Sequence, residues 1–236
     1  MKGLGTIVNV AATILGATIG IFIKGGLKEN IKETLNKACG ISVIFIGIAG
    51  AIPRMTTSTE ILLLVVSLVI GGILGELIDI EKRTDRLGTK IQTAVKAKND
   101  SSFVEGFVSA TLVICIGAMA IVGSIQDGLT GDHSMLFTKA LLDFVIVMVM
   151  SSAMGIGVAF SALPLGIYQG LITLCAVLIA PVISDALINN LSMVGSVLIS
   201  CVGINLTFGK KVKVGNFLPA LLIPIIWEVI SVCILR

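Results

Sequence analysis

Long apolar stretches with few charges recur along the whole chain. A bilayer core of about 30 Å needs about 20 apolar residues per helix. By that measure the sequence contains eight candidate spans, at 4–23, 38–52, 60–78, 103–125, 136–154, 162–180, 191–208 and 216–235. The sequence therefore predicts an all-α, polytopic bundle of transmembrane helices, folded as a single domain over residues 1–236.

The composition excludes the main alternatives to a membrane protein. Charged residues make up 13% of the chain and hydrophobic residues 56%, and the mean hydropathy is +1.07. Soluble domains carry about 25% charged residues, so too little polar surface remains to coat a water-soluble globular protein of this size. A disordered chain would need low hydrophobicity and high charge.

The number of crossings has two readings. The link at 155–164, between the fifth and sixth stretches, carries no charge, and the second stretch is short. Residues 136–180 could therefore form one re-entrant hairpin instead of two crossings. The chain then has either eight spans, or six spans and a re-entrant unit.

Basic residues predict the orientation of the bundle. Of 17 lysines and arginines, 13 lie in three connections, at 24–37, 82–98 and 210–213. The positive-inside rule places these connections in the cytoplasm, which puts the N-terminus and the acidic tip 126–132 outside. The segments 25–37 and 82–98 also carry apolar residues at helical spacing, which predicts amphipathic helices on the inner leaflet.

Short internal similarities predict a duplicated helical hairpin. Residues 15–20 resemble 70–75, and 41–48 resemble 111–118, with Ile46-Gly47 matching Ile116-Gly117. The repeats would be 4–52 and 60–125, in parallel orientation, followed by a second half at 136–235. Small residues at helical spacing in the first, third and fourth spans favour close helix packing over a solute path, and they would also suit a homo-oligomer.

Charged and polar residues at membrane depth are the candidate functional residues, because they are costly to bury there. Asp143 lies about two turns inside the fifth span, with Lys139 four residues earlier on the same face. It could be a structural ion pair or a ligand for a cation or proton. The other candidates in spans are Glu228, in the same span as the helix-breaking Pro219 and Pro224, and the neutral residues Asn9, Gln169 and Asn205.

A helix-breaking stretch lies close to these residues. Gly155 and Gly157 follow two serines at the end of the fifth span, and Tyr168 directly precedes Gln169. Broken helices expose backbone groups to the substrates of transporters. The sequence therefore places the candidate binding site between Asp143 and Gln169.

No motif for soluble catalysis or for a cofactor is present. The chain lacks GxxxxGK[ST], GxGxxG, HExxH and GxSxG. The five cysteines (Cys39, Cys115, Cys175, Cys201, Cys233) form no CxxC pair, and His133 stands apart from them, so we expect free thiols and no zinc site. We expect no cofactor, no enzymatic activity and no nucleic-acid partner. His133, in the outer loop, is expected to be solvated.

Four stretches carry a resemblance to a known family. They are 3–20 with Asn9, 115–127, 139–170 with Asp143, Gly155, Gly157, Tyr168 and Gln169, and 203–219. Together they resemble the YqgA/YdfK-like family of uncharacterised integral membrane proteins of the bacterial inner membrane. The resemblance implies a polytopic protein suspected of transport, and it implies no substrate and no catalytic residue.

Two functions follow as hypotheses. The first is a gradient-driven secondary transporter or channel for a small solute or ion, with Asp143 as the ligand or coupling residue. The alternative is a non-transporting scaffold or sensor of the bacterial inner membrane, whose basic loops recruit other proteins.

Overall fold

The computed structural model describes residues 2–26, 28–97, 102–179 and 183–234, and all regular structure in these ranges is helical. The α-helices are α1 (Leu4–Gly25), α2 (Glu29–Ala51), α3 (Ser58–Ile78), α4 (Ile80–Ala94), α5 (Phe103–Cys115), α6 (Ala118–Thr130), α7 (Ser134–Met154), α8 (Ala162–Leu174), α9 (Ala176–Ile179), α10 (Asp185–Phe208) and α11 (Leu222–Ile234). Short 3₁₀ helices occupy Ile52–Arg54, Ile156–Ser161 and Val214–Leu221. The prediction of an all-α polytopic bundle is confirmed.

Six helical segments in the described ranges are long and apolar enough to cross a membrane: Leu4–Gly25, Asn30–Arg54, Ser58–Ile78, Ser134–Met154, Ile156–Leu174 and Asp185–Phe208. A bent pair, α5 with Met119–Thr130, would be a seventh, and Val214–Ile230 is a shorter apolar segment. Each of the eight predicted stretches therefore contains helix. Positions 27, 98, 180 and 235 and the side chain of Cys233 lie outside the described part of the chain.

The structure corrects two local predictions. The stretch 103–125 is not one straight helix, because α5 and α6 meet at a bend of 60°. The second span is not short and has no separate amphipathic helix before it, since α2 begins at Glu29. The predicted repeat pairs Ile46-Gly47, which lies inside the continuous α2, with Ile116-Gly117, which lies at the break between α5 and α6. The duplication stays a prediction.

Glycines show that α1 and α7 run parallel. A Cβ on Gly5 would touch the side chain of Leu136, and one on Gly16 would lie 2.4 Å from the carbonyl oxygen of Phe144. Further along both helices, Gly20 meets the carbonyl of Met148. Only residues without side chains allow this approach, which supplies the dispersion contacts that hold membrane helices together.

The other two close pairs are antiparallel. Gly40 and Gly47 of α2 lie against Thr207 and Ser200 of α10, in reverse order along the chain. In α3, Gly75 lies against the backbone of Asn216 and Gly71 against Ala220. These directions are the ones expected when successive segments cross the bundle in alternate directions.

The three basic connections therefore lie at the same end of the bundle. Asn36, near the start of α2, donates to the carbonyl of Leu206 at the end of α10. Lys210 pairs with Glu81 of α4 at 2.8 Å, and Lys213 pairs with Glu76 of α3 at 2.5 Å. The start of α1 lies at the opposite end, beside Asp127 and His133.

The larger hydrophobic cluster among the described residues joins the two halves of the chain. It contains Ala17 and Val43 from the first half together with Val147 and Leu198 from the second. Large apolar side chains also cover the outside of the bundle, as at Phe22, Leu62 and Leu174. Such an apolar exterior is what a helix bundle presents to lipid.

Candidate functional site

The break between α5 and α6 creates free backbone acceptors inside the bundle. α5 ends at Cys115, and Ile116 is extended, with φ −89° and ψ 107°. Gly117 is extended too and precedes the first residue of α6. The last carbonyls of a helix have no partner within it, so those near Cys115 need donors from elsewhere.

Lys139 of α7 supplies one of these donors. Its ammonium donates to the carbonyl oxygen of Ile114 at 2.7 Å and to Oδ2 of Asp143 at 2.6 Å. Lys139 is only 6% exposed and Asp143 4%. Lys139 and Asp143, predicted to be neighbours on one helix face, therefore form a buried ion pair, and the Lys139 ammonium also bonds to the end of α5.

Two amides from other helices complete the cluster. The Nδ2 group of Asn9, on α1, donates to Oδ2 of Asp143 at 3.0 Å and to Oε1 of Gln169, on α8, at 3.3 Å. Both amide residues are fully buried. We call Asn9, Lys139, Asp143 and Gln169 the polar cluster. It joins three helices to the broken end of a fourth.

The polar cluster has hydrogen-bonding capacity to spare. Among the residues that the structure describes, Oδ1 of Asn9 and Nε2 of Gln169 are buried and have no hydrogen-bond partner, and the same is true of the hydroxyls of Thr13 and Ser124. An unsatisfied buried polar group costs about 1–3 kcal/mol. The cluster thus offers both an acceptor and a donor to a bound species.

Tyr168 lies next to the break but outside the hydrogen bonds of the cluster. It is half-buried and, with Cys115, Ile116 and Gly117, lines a cavity of about 290 Å³ that extends to Ser192 of α10. The cavity is mostly apolar in its lining. Tyr168 therefore borders a space beside the broken helix end.

Gly155 and Gly157 are remote from the polar cluster. Gly155 ends α7 with φ 92° and ψ −151°, a conformation that favours glycine. A Cβ on Gly157 would lie 2.1 Å from the carbonyl oxygen of Phe103, so this glycine packs the 3₁₀ segment against the start of α5. At 1.5 Å per residue, Gly155 lies about 18 Å along α7 from Asp143.

Asn205 and Glu228 also lie apart from the cluster. Asn205 accepts from the backbone nitrogens of Lys211 and Val212 and donates to the Val212 carbonyl, so it holds the basic turn after α10. Glu228 accepts from the hydroxyl of Ser184 at 2.5 Å, and that hydroxyl caps the start of α10. The structure gives both residues contacts at helix ends.

The sequence reasoning missed a second buried carboxylate. Asp127 is 0% exposed, although it belongs to the acidic tip 126–132 that the sequence places outside. It accepts from the backbone nitrogens of Gly3 and Gly5 at the start of α1, and its Oδ1 lies 2.9 Å from Nδ1 of His133. The expectation of a solvated His133 is therefore wrong. One signal was available: Asp127 follows Ala120 and Ser124 on the same face of α6, and all three are buried.

Comparison with known proteins agrees with the membrane architecture. A family model described as a protein of unknown function, DUF554, matches residues 4–229. The chain belongs to the DUF554 family.

Two curated relatives span the DUF554 chain. The uncharacterized membrane protein YdfK of Bacillus subtilis is 36% identical over 220 residues, covering 93% of each chain. The uncharacterized protein YqgA of Escherichia coli is 28% identical over 224 residues, covering 93% of this chain and 94% of its own. No solved structure matches this DUF554 protein. The resemblance to the YqgA/YdfK-like family is thereby confirmed.

Proposed function

We propose that this protein is a gradient-driven secondary transporter or channel for a small solute or ion, with Asp143 as the ligand or coupling residue. One observation carries the proposal: the buried ion pair of Lys139 and Asp143 is held at a broken helix end and has unpaired amide groups beside it. The proposal requires neither a cofactor nor an enzymatic step.

The energetics favour a functional reason for this cluster. Removing two charges from water costs several kcal/mol per ion, and a well-packed apolar pair of similar volume is often equally stable or more stable. Charges and broken helices at membrane depth are found together where transporters bind ions and substrates. Asp143 is the tenth of the 21 residues of α7, close to the middle of that span.

The orientation is part of the same proposal. With the basic end in the cytoplasm of a bacterial inner membrane, the start of α1 and the Asp127–His133 pair face outward. The grouping of three basic connections at one end of the bundle supports this orientation. Moving one charge against the membrane potential costs about 2.3 kcal/mol per 100 mV.

Flux through proteoliposomes tests the proposal. The purified protein is reconstituted and loaded with a panel of ions and small solutes, under a proton, sodium or potassium gradient. We expect gradient-dependent flux of at least one of them, and its loss in Asp143→Asn. Asp132→Asn is the matched control, because Asp132 is an exposed loop carboxylate bonded to Ser134.

Two results would contradict the proposal. Full flux in Asp143→Asn would refute the residue assignment. Absence of flux for the whole panel in the wild-type protein would favour the scaffold or sensor alternative.

A further inference from the structure

The Lys139 ammonium occupies a position built for a cation. Its two acceptors are a carboxylate oxygen of Asp143 at 2.6 Å and the backbone carbonyl oxygen of Ile114 at 2.7 Å. The carbonyl belongs to the C-terminal end of α5, which carries the negative end of the helix dipole. Half-helix C-termini and unwound carbonyls are the groups that coordinate sodium or protons in secondary transporters.

Asn9 carries an unused oxygen in the same cluster. A charged carboxylate only accepts hydrogen bonds, so Asn9 must direct its NH₂ group toward Asp143. Its Oδ1 atom, on the same side-chain carbon, is fully buried and makes no hydrogen bond to any described part of the chain. This oxygen is bonded to the same carbon as Nδ2, which contacts Asp143 at 3.0 Å, but it does not accept a hydrogen bond from the Lys139 ammonium.

The charge balance selects a monovalent ion. The ammonium contributes one positive charge against the single charge of Asp143, so another monovalent cation replaces it without changing the net charge of the buried cluster. The two ligands that the ammonium contacts are a carboxylate and a backbone carbonyl, which are hard oxygen donors of the kind that bind hard cations. A divalent ion would leave an uncompensated positive charge in a buried site.

We propose that an alkali-metal cation, represented by sodium, takes the place of the Lys139 ammonium between Asp143 and Ile114. The inference deepens the proposed function, on which it rests, by naming the class of ion. Lys139 lies one turn closer than Asp143 to the start of α7, the end that also holds Asp127 and His133. Its flexible four-carbon stem allows the ammonium to withdraw toward that end when the ion enters. Lys139 then competes with the ion for the same two oxygen atoms, those of Asp143 and Ile114.

Thermal unfolding of the full-length protein in detergent tests this competition. Unfolding is followed in sodium chloride, potassium chloride and choline chloride at equal ionic strength, because an ion that binds only the folded state raises its stability. The variants are Lys139→Gln, which removes the charge but keeps a hydrogen-bonding group, Asp143→Asn, and the double variant. The double variant restores neutrality and is the matched control for folding.

We expect sodium to stabilise Lys139→Gln at concentrations about tenfold lower than those needed for the wild-type protein. The two variants that contain Asp143→Asn should respond equally to sodium and choline. If Lys139→Gln does not fold in choline but folds in sodium, the proposal is also supported. If it folds in neither salt, the wild-type protein is compared with Asp143→Asn. Stabilisation of the wild-type protein alone by sodium then supports the proposal, and equal responses of the two proteins overturn it.

The proposal would be overturned if neither the wild-type protein nor Lys139→Gln differed in stability between sodium, potassium and choline chloride. A response to acidification alone, without any response to alkali cations, would overturn it in favour of a proton. Sodium binding without flux would contradict only the transport proposal. Flux of a solute without sodium or potassium binding would contradict only the cation site.

Discussion

Replacement of Asp127 by asparagine tests how α1 is anchored. The carboxylate accepts from Gly3 at 2.9 Å and from Gly5 at 3.0 Å, and its Oδ1 also lies 2.9 Å from the His133 ring. Asparagine keeps the shape but has a single acceptor oxygen. Its NH₂ group must then face either the backbone N–H of Gly5, which now bonds to Oδ2, or Gly3 and His133, which now bond to Oδ1.

The size of the effect follows from these contacts. A hydrogen bond to a charged group contributes about 1.5–3 kcal/mol. A negative charge at a helix N-terminus adds up to about 2 kcal/mol in partly buried geometry. One such bond is lost outright and the remaining ones are weakened, so we expect the free energy of unfolding to fall by about 2–4 kcal/mol.

Denaturation in mixed micelles measures this loss, with Asp132→Asn as the control. The hydrogen bond from the Ser134 hydroxyl holds the pKa of Asp132 below its usual value of 3.8, so this substitution also removes a negative charge near neutral pH. Asp132 is exposed, and we expect its replacement to cost only a small fraction of the Asp127 effect. Equal stability of Asp127→Asn and wild type would refute the anchoring role of this carboxylate.

Three further predictions concern packing, pH and topology. Gly75→Ala should destabilise the protein by about 1–3 kcal/mol through overpacking, since its Cβ would lie 1.7 Å from the carbonyl oxygen of Asn216. The control is Gly170→Ala, whose Cβ would have nothing within 4 Å and should not destabilise the protein in the same thermal unfolding measurement. Equal effects of the two substitutions would contradict the close packing at Gly75. The hydrogen bond to Glu76 raises the pKa of Lys213 above 10.5, so the stability this pair contributes is complete below that pH and is lost as the pH rises through the raised value. The difference in unfolding temperature between wild type and Glu76→Gln should therefore shrink at high pH, and a difference that grows would contradict this sign. On a cysteine-free background, cysteines at positions 30 and 90 should resist an external membrane-impermeant reagent, and their labelling in intact cells would reverse the proposed orientation.

The sequence alone determined the architecture because the bilayer acts locally on the chain. Without water in the membrane core, each long apolar stretch must satisfy its backbone groups within itself, and only a helix does so. The eight predicted stretches therefore all contain helix, and of the small residues at helical spacing in the first span, Thr13, Gly16 and Gly20 lie on a buried face of α1. The presence of Asp143 at membrane depth and its pairing with Lys139 were readable from helical spacing.

Tertiary structure decided what the two charges are connected to. Nothing in the largely apolar stretch 103–125 marks Ile116 as extended, because an apolar pattern is the same for a straight and for a broken helix. The partners of Asn9 lie 134 and 160 residues away, and that of Gly5 lies 122 residues away, so they depend on which helices meet. The same packing separates Gly155, Gly157, Asn205 and Glu228 from the polar cluster. Spacing along one helix fixes which residues share a face, but contacts between helices fix which faces meet.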